Sequence, residues 1–205
     1  MRLIAVSPEA VDEALRVLAT GGVVVHATET CYGLACDLRN PAAVARLFAI
    51  KRRPAGQPVS ALFASLENAK RYVEWNDRAQ GLASDNLPGP LTLILPLRKD
   101  APPLFPTPSP NPNPSPNLGI RISSHPLAAE LAARFGHPLS TTSANLHGEP
   151  SPYSATEIVR QFQGNDLQPD LILDSGELPP TPPSTIIDLS RTGSAQTRRQ
   201  GGLSL

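Results

Sequence analysis

The sequence predicts an α/β fold: an open, twisted, mixed sheet with helices against its faces. Short segments rich in β-branched residues alternate with amphipathic segments along the chain, which is the pattern of helices packed on a sheet. At 205 residues the chain is long enough for one sizeable core. No internal repeat divides it. We therefore expect residues 1–205 to form a single domain.

The first helix has clear boundary signals. Ser7 is a good N-cap, Pro8 suits the first helical position, and apolar residues then recur at helical spacing until Gly21. The valine-rich segment 23–27 follows as a strand that we expect to be buried on both faces. Further strands are predicted at 58–63, 91–97, 118–122, 138–141, 171–173 and 185–189, and further helices at 41–50, 66–72, 126–135 and 155–162.

A proline-rich segment, 102–117, interrupts this alternation. Eight of the fifteen residues from 102 to 116 are proline, which lacks the backbone donor and fixes φ, so neither a strand ladder nor a helix can form. We expect an exposed loop inserted between two strands. A ligand for a proline-recognition domain is the alternative interpretation.

Composition argues against several classes of protein. The formal net charge is zero, so no overall field would draw nucleic acid or a membrane to the surface. The longest apolar runs, such as 91–97, are too short to cross a bilayer. The acidic, amphipathic N-terminal segment does not suit a signal peptide. We expect a cytoplasmic protein that does not bind membranes.

The histidines and cysteines form no recognisable metal-binding motif. Cys31 and Cys36 have no second cysteine pair, and no helix carries two histidines at metal-ligand spacing. The sequence also lacks a P-loop, a GxGxxG fingerprint, a GxSxG elbow and an HExxH motif. We therefore expect no metal bound by protein side chains.

Small hydrogen-bonding side chains occur where predicted strands end. They are found in the turn 28–30 (TET), in the segment 140–145 (STTSAN) and at Ser184. A polar turn after a strand is commonly only a turn. Three such positions together indicate a ligand site, because α/β proteins bind ligands at the carboxyl edge of the sheet.

Three cations, Lys51, Arg52 and Arg53, follow the second predicted helix. Charges at this position also complement the helix macrodipole, which is the plain structural explanation. We expect this segment to be extended, so that Lys51 and Arg53 point the same way and Arg52 points opposite. An ammonium beside a guanidinium would then suit a phosphate or a carboxylate.

Taken together, the motifs resemble those of the YrdC/TsaC family. They are HATETCYGLACD, KRRP, LPGPLTLILP, IRISSHPL, STTSANLHGEPSP, PSTIIDL and RRQG, in this order over nearly the whole chain. The resemblance implies an open α/β fold whose twisted sheet forms a concave, positively charged groove. It also implies the activity of a threonylcarbamoyl-AMP synthase, which joins L-threonine, bicarbonate and ATP and releases pyrophosphate.

The same resemblance implies a set of partners. Mg²⁺ would be held mainly by the phosphates of ATP. The product, threonylcarbamoyl-adenylate, would pass to downstream threonylcarbamoyl transferase proteins that modify the adenosine next to the anticodon of tRNA. Transfer RNA itself is a further expected partner.

The site residues implied by the resemblance form two sets. Lys51 and Arg53 match the family's KxR motif and would hold the triphosphate and support the reaction. The residues implied to bind L-threonine are Thr30, Arg121, Thr141 and Ser184. The other residues implied to bind the nucleotide are Gln57, Ser143, Asn145, Ser151 and Arg199, with Arg198 as the alternative to Arg199.

Two other functions match part of the pattern. A double-stranded RNA or tRNA-binding protein could use the same cationic groove, although nine aromatic residues offer little stacking surface. Carbamoyl transfer in hydrogenase maturation uses this fold as one module of a much longer chain. The sequence departs from the family at Ala27, commonly a proline, and at the insertion 102–117. It otherwise resembles the short, single-domain type.

Overall fold

Strands and helices alternate in the computed structural model, which describes residues 1–54, 59–104, 116–191 and 193–204. The strands are β1 (Arg2–Ala5), β2 (Val24–Ala27), β3 (Tyr32–Ala35), β4 (Ser60–Leu62), β5 (Leu91–Pro96), β6 (Asn117–Arg121), β7 (Leu139–Ser143), β8 (Leu171–Asp174), β9 (Thr185–Asp188) and β10 (Gln196–Arg199). The helices are α1 (Pro8–Ala19), α2 (Pro41–Ile50), α3 (Leu66–Lys70), α4 (Asp77–Asn86), α5 (Pro126–Phe135) and α6 (Ala155–Phe162).

One mixed sheet of ten strands runs through the described residues, in the order β1-β8-β2-β3-β7-β4-β6-β5-β9-β10. β8 lies parallel to both β1 and β2, and the pairs β4–β6 and β5–β9 are also parallel. The remaining neighbours are antiparallel. β7 pairs with β3 on one side and β4 on the other, so it joins the two halves of the sheet. The predicted α/β class with a mixed sheet is confirmed.

Both faces of the sheet are covered, and β2 shows why its sequence is apolar throughout. Val25 belongs to one core cluster, whereas its neighbour Val24 belongs to another that includes Leu18 of α1 and Leu131 of α5. Successive side chains of a strand point to opposite faces, so a strand between two helix layers must be apolar at every position. The first cluster holds Leu47 of α2, together with residues of α6.

Helix boundaries follow the capping residues in the sequence. Ser7 accepts a hydrogen bond from the backbone N–H of Ala10, and Ser154 accepts one from that of Glu157. The Glu157 carboxylate accepts from the N–H of Tyr153, one residue before the position expected for a capping box. Gly136 ends α5 in the left-handed region, with φ of 72°.

Four elements were not predicted: β1, β3, β10 and α4. The sequence indicates that Tyr32-Gly33 closes a turn, but β3 begins there and forms an antiparallel hairpin with β2. β10 is exposed at every position, so it lacks the apolar alternation that identifies a strand. The polar sequence of α4 includes Gly81, which weakens its helical signal.

Some of the sequence predictions concern residues that the structure does not describe. Gln57 is one of them, and most of the proline-rich segment, 105–115, is another. None of the helices in the described ranges is long and apolar enough to cross a membrane.

Candidate active site

A cavity of about 210 Å³ collects side chains from both halves of the sheet. Eight of the residues implied by the family motifs line it: Thr30, Arg53, Arg121, Thr141, Ser143, Ser151, Ser184 and Arg199. They come from segments far apart in sequence, so the strand order brings them together. Lys51 and Asn145 are not on its lining, and Gln57 lies outside the described residues.

The turn between β2 and β3 presents Thr30 to the cavity. Thr28 shapes this turn, because its hydroxyl donates to the carbonyl of Cys31 at 2.7 Å and accepts from the N–H groups of Thr30 and Cys31. The hydroxyls of Thr28 and Thr30 are 3.0 Å apart. Both side chains are nearly inaccessible to solvent. Thr30 is therefore held in one orientation before any ligand binds.

Arg121, at the end of β6, meets this turn from the other half of the sheet. Its Nη2 donates to the Thr30 hydroxyl at 2.7 Å and to the Glu29 carboxylate at 2.8 Å. The hydroxyl of Ser123 donates to the second carboxylate oxygen of Glu29. Burial opposes ionisation of Glu29, but Arg121 and Ser123 outweigh it and lower the pKa of this carboxyl.

Arg199 reaches the cavity from the edge strand β10. Its Nε donates to the Ser184 carbonyl at 3.0 Å, and its Nη2 donates to the Ser184 hydroxyl at 2.9 Å. The same hydroxyl lies 3.0 Å from that of Thr92 on β5. Arg198 does not line the cavity and forms an ion pair of 2.7 Å with Asp188. Of the two arginines that the sequence left as alternatives, Arg199 therefore lines the cavity and Arg198 does not.

The C-terminal segment fixes the position of Arg199. The buried hydroxyl of Thr185 donates to the carbonyl of Leu203 and accepts from the N–H groups of Gly201 and Leu203. A Cβ atom at Gly201 would overlap the carbonyl oxygen of Pro183. Glycine is required here because the backbone packs directly against the Pro183–Ser184 segment.

The segment carrying the three cations is not extended, which corrects our expectation. Arg52 has a φ of 50°, and its N–H donates to the carbonyl of Ala49, while the N–H of Arg53 donates to that of Phe48. These two bonds and the left-handed residue form a Schellman motif, which ends α2 by satisfying its last carbonyls. Arg53 then lies 3.4 Å from the Thr142 hydroxyl through its Nη1.

Lys51 lies beneath the cavity and is only 3% exposed. Its ammonium donates to the carbonyls of Ser143 and Asn145, at 2.5 and 2.7 Å, and to the Asn145 side-chain oxygen at 3.2 Å. An ammonium has three donors, and all three are used here. Burial, together with the charge of Arg53, lowers the pKa of Lys51 to about 7. Lys51 therefore fixes the segment 143–145, which presents Ser143 to the cavity.

Three guanidinium groups, those of Arg53, Arg121 and Arg199, line the cavity, and no carboxylate does so among the described residues. Burial lowers the pKa of Arg53 and of Arg199, and the charge of Arg121 lowers that of Arg199 further. Crowded cations in a partly buried site are stabilised when an anion binds between them. No group of three or more possible metal-ligating residues occurs in the described part of the chain. The cavity is thus suited to an anionic ligand with several oxygen acceptors.

Comparison with known proteins places these features in a family. The family model described as "Telomere recombination" (Sua5/YciO/YrdC) matches residues 16–201. This chain belongs to the Sua5/YciO/YrdC family. The resemblance inferred from the sequence motifs is confirmed.

Two relatives in this family are threonylcarbamoyl-AMP synthases. A threonylcarbamoyl-AMP synthase of Xanthomonas oryzae pv. oryzae is 40% identical over 142 residues, which are 68% of this chain and 73% of that protein. A threonylcarbamoyl-AMP synthase of Coxiella burnetii is 35% identical over 186 residues, which are 90% of this chain and 95% of that protein. The second similarity thus extends over almost the full length of both chains.

Solved structures of the family have the same fold. Pyrococcus abyssi Sua5 in complex with L-threonine matches with a TM-score of 0.85 and 31% identity, over 98% of this chain and 56% of that one. This chain therefore spans a little over half the length of Sua5. Escherichia coli YciO matches with a TM-score of 0.83 and 26% identity, over 98% of this chain and 95% of that one.

Several cavity residues of this Sua5/YciO/YrdC protein were missed by sequence reasoning. They are Cys31, Val59, Ser60, Thr92, Pro183 and Ile186, whereas Thr142 lies in the segment 140–145 that the sequence indicated. Thr92 offered a signal, because it is the one hydroxyl in the apolar segment 91–95 and must find a partner when buried. The others are ordinary strand and turn residues. Only the strand order shows that they face a common cavity.

Proposed function

We propose that this protein is an L-threonylcarbamoyladenylate synthase. It converts L-threonine, bicarbonate and ATP into threonylcarbamoyl-AMP and pyrophosphate. The named relatives with this activity support the proposal. So does the structural similarity to a Sua5 protein that was solved with L-threonine.

One observation of the site carries the proposal. A single cavity combines a hydroxyl and guanidinium pair, Thr30 and Arg121, with two further guanidinium groups, Arg53 and Arg199. The first pair can bind the carboxylate of an amino acid, and the other two can bind a polyphosphate. An enzyme that joins an amino acid to a nucleotide needs both functions within reach of each other.

The family motifs and the cavity lining together support a role for each residue. We assign L-threonine to Thr30, Arg121, Thr141 and Ser184, all of which line the cavity. We assign the nucleotide to Arg53, Ser143, Ser151 and Arg199, which also line it, and to Gln57. Lys51 and Asn145 support the nucleotide site from below by holding the segment 143–145 in place.

The reaction needs positioning and charge neutralisation more than proton transfer by side chains. The amine of threonine captures the carbon of bicarbonate, and water leaves to give a carbamate. A carbamate oxygen then attacks the α-phosphorus of ATP, and the bond to the bridging oxygen of pyrophosphate breaks in line. Arg53 and Arg199 offset the repulsion between the carbamate and the triphosphate, which otherwise keeps the two anions apart.

Mg²⁺ belongs to this proposal as a companion of ATP. The lining provides hydroxyl oxygens such as those of Ser143 and Thr142, but no carboxylate among the described residues. This donor set fits a Mg²⁺ ion that keeps its phosphate and water ligands. When bound, the ion would neutralise part of the charge on the leaving pyrophosphate.

The remaining partners of the proposal are those that the family resemblance implies. A threonylcarbamoyl-adenylate is a mixed anhydride that reacts readily with nucleophiles, so downstream threonylcarbamoyl transferase proteins would receive it. The acceptor would be the adenosine next to the anticodon of tRNA. We place this work in the cytoplasm.

Pyrophosphate release tests the proposal. The purified protein is supplied with ATP, Mg²⁺ and bicarbonate, with and without L-threonine. We expect release that requires both threonine and bicarbonate, and Arg53→Ala should lower the rate by at least about tenfold. Release that is independent of threonine, or no release from an active preparation, would overturn the assignment.

A further inference from the structure

Thr92 places a hydroxyl among apolar side chains on β5. Its neighbours Leu91 and Leu93 are fully buried, and Thr92 itself is only 3% exposed. Valine would pack here with nearly the same shape, whereas a buried hydroxyl costs free energy unless it forms a hydrogen bond. Thr92 also lines the cavity, and its hydroxyl oxygen lies 3.0 Å from that of Ser184. The hydroxyl is therefore explained by its contact with Ser184 and not by packing.

The strand register brings these two hydroxyls together. β5 and β9 are parallel neighbours, and Thr92 lies opposite Ile186. The N–H of Thr185 donates to the carbonyl of Pro90 at 2.9 Å, which fixes the start of β9 beside β5. Ser184 immediately precedes β9, so the backbone holds it next to Thr92 before any ligand binds.

The hydrogens of this group can be counted. The Nη2 of Arg199 can only donate, so the Ser184 oxygen accepts from it at 2.9 Å. Each hydroxyl has one hydrogen and two lone pairs, and a hydrogen bond between the two oxygens uses one of their two hydrogens. The pair formed by Thr92 and Ser184 therefore keeps one hydrogen for another acceptor. Both residues line the cavity, so that acceptor can belong to a ligand.

A carboxylate in the cavity decides which hydroxyl donates to it. Its oxygens only accept, and a hydrogen bond to an ionised acceptor is stronger than one between two hydroxyls. Hydrogen bonds in a chain polarise one another, so an oxygen that accepts from a cation becomes a stronger donor. Ser184 accepts from Arg199, and its hydrogen should therefore point to the carboxylate. The second lone pair of Ser184 then accepts the hydrogen of Thr92.

We propose that Thr92 is a positioning residue for the amino-acid substrate: its hydroxyl donates to Ser184 and thereby turns the Ser184 hydrogen toward the carboxylate of L-threonine. The inference rests on the proposed function, which assigns Ser184 to L-threonine. Arg199 also donates to the Ser184 carbonyl, and that bond does not involve the Thr92 hydroxyl. Loss of the Thr92 hydroxyl should therefore weaken binding of the amino acid and leave Arg199 in place for phosphate.

The Thr92→Val variant removes the hydroxyl and keeps the branched shape. We expect L-threonine to bind about fivefold more weakly, because the Ser184 hydrogen loses its fixed direction. Inorganic pyrophosphate should bind within about twofold of the wild-type affinity, since Arg199 stays in place. Thr92→Ser restores the hydroxyl and should return the affinity for L-threonine to within about twofold of wild type. Titration calorimetry measures each of these affinities.

Two further variants identify the cause. In Ser184→Ala the residue through which Thr92 acts is gone, so adding Thr92→Val should weaken L-threonine binding by less than about twofold more. A residue that only supported the strand would weaken it by the same factor with or without Ser184. Thr20→Val removes a hydroxyl from an exposed position at the end of α1 and should change neither affinity.

Three outcomes overturn the proposal: unchanged L-threonine affinity in Thr92→Val, an equal loss of pyrophosphate affinity in that variant, or the full loss of L-threonine affinity again in the Ser184→Ala background. If Thr92→Val does not fold, Thr92→Ala is compared with and without Ser184 and decides in the same way. These binding measurements need no turnover. Failure of the wild-type protein to release pyrophosphate from ATP would instead contradict the proposed function, so the two failures can be distinguished.

Discussion

Two cations that stand two positions apart in the sequence have different surroundings in the fold. Arg53 lines the cavity, whereas Lys51 is buried beneath it with its three donors bound to oxygens of Ser143 and Asn145. The KxR motif therefore combines a ligand-facing cation with an internal support. A buried ammonium that already has three acceptors has no donor left for a phosphate. Its role is therefore to hold the segment 143–145 in position.

Replacing Lys51 tests this internal role. Lys51→Met keeps the volume but leaves the backbone carbonyls of Ser143 and Asn145 without the Lys51 donor, so the segment 143–145 should loosen and pyrophosphate release should fall by at least about tenfold. Because Asn145→Ala loosens the same segment, the two effects should be strongly non-additive. Arg52→Gly is the control, since Arg52 points to Asn165 and not into the cavity. Additive losses, or near-normal turnover in Lys51→Met, would contradict the account.

The arginines at the end of the chain form a natural matched pair. Arg199→Gln removes a cavity cation and two bonds to Ser184, so we expect a loss of at least about tenfold in the rate of pyrophosphate release. Arg198→Gln removes a half-exposed ion pair with Asp188, which should change the rate by less than about twofold. Steady-state kinetics on both variants provide the measurement. Equal losses of rate in the two variants would show that activity depends on the edge strand β10 and not on the Arg199 guanidinium.

At the scale of elements, the C-terminal segment after β10 packs against residues that line the cavity. Its backbone packs on Pro183 and Ser184, and Thr185 binds it through three hydrogen bonds. The segment thereby holds Ser184 and Arg199 together. The close packing leaves no space for a side chain at Gly201, although the neighbouring Gly202 has ordinary contacts.

Two glycine variants compare these positions. Gly201→Ala places a methyl group against the Pro183 carbonyl, so the segment must move and pyrophosphate release should fall by about tenfold. At Gly202 a methyl group would lie 3.7 Å from Pro182, so Gly202→Ala should be nearly neutral. The test is the ratio of the two rates at equal protein stability. Equal activity of the two alanine variants would show that the C-terminal segment does not position Arg199.

The elements that the sequence predicts are those with a strong local signal. The helix 126–135 has an apolar stripe and a glycine end, and it was predicted with its observed bounds. β10 and the burial of Lys51 could not be predicted, because their causes lie elsewhere in the chain. β10 is a strand through its pairing with β9, and Lys51 is buried by oxygens 92 and 94 positions further along. Hydroxyls at strand ends were a sound guide to the cavity. Their contacts depend on the strand order.

At the scale of the whole molecule, the two halves of the sheet meet around buried polar groups. His26 is one of these. It is fully buried on β2, where Nδ1 donates to the carbonyl of Ala27 at 3.0 Å. Burial lowers the pKa of His26 to about 4, so the imidazole stays neutral in the folded protein.

Stability should therefore depend on pH through His26. Between pH 4 and the ordinary pKa of 6.5, the unfolded chain binds a proton that the folded chain does not. The free energy of unfolding should thus decrease as the pH falls through this window, by about 3 kcal/mol at most. His26→Gln should flatten the dependence, as measured by urea unfolding at several pH values. An unchanged slope in this variant would contradict the assignment.

The central claim is that one cavity joins threonine, bicarbonate and ATP. The most direct measurement is mass spectrometry of the adenylate formed when the purified protein receives ATP, L-threonine and carbon-13-labelled bicarbonate. We predict an adenylate that contains threonine and carries the label, formed together with pyrophosphate. An adenylate without the label, or tight and salt-dependent tRNA binding with no adenylate at all, would contradict the account and favour a nucleic-acid-binding role.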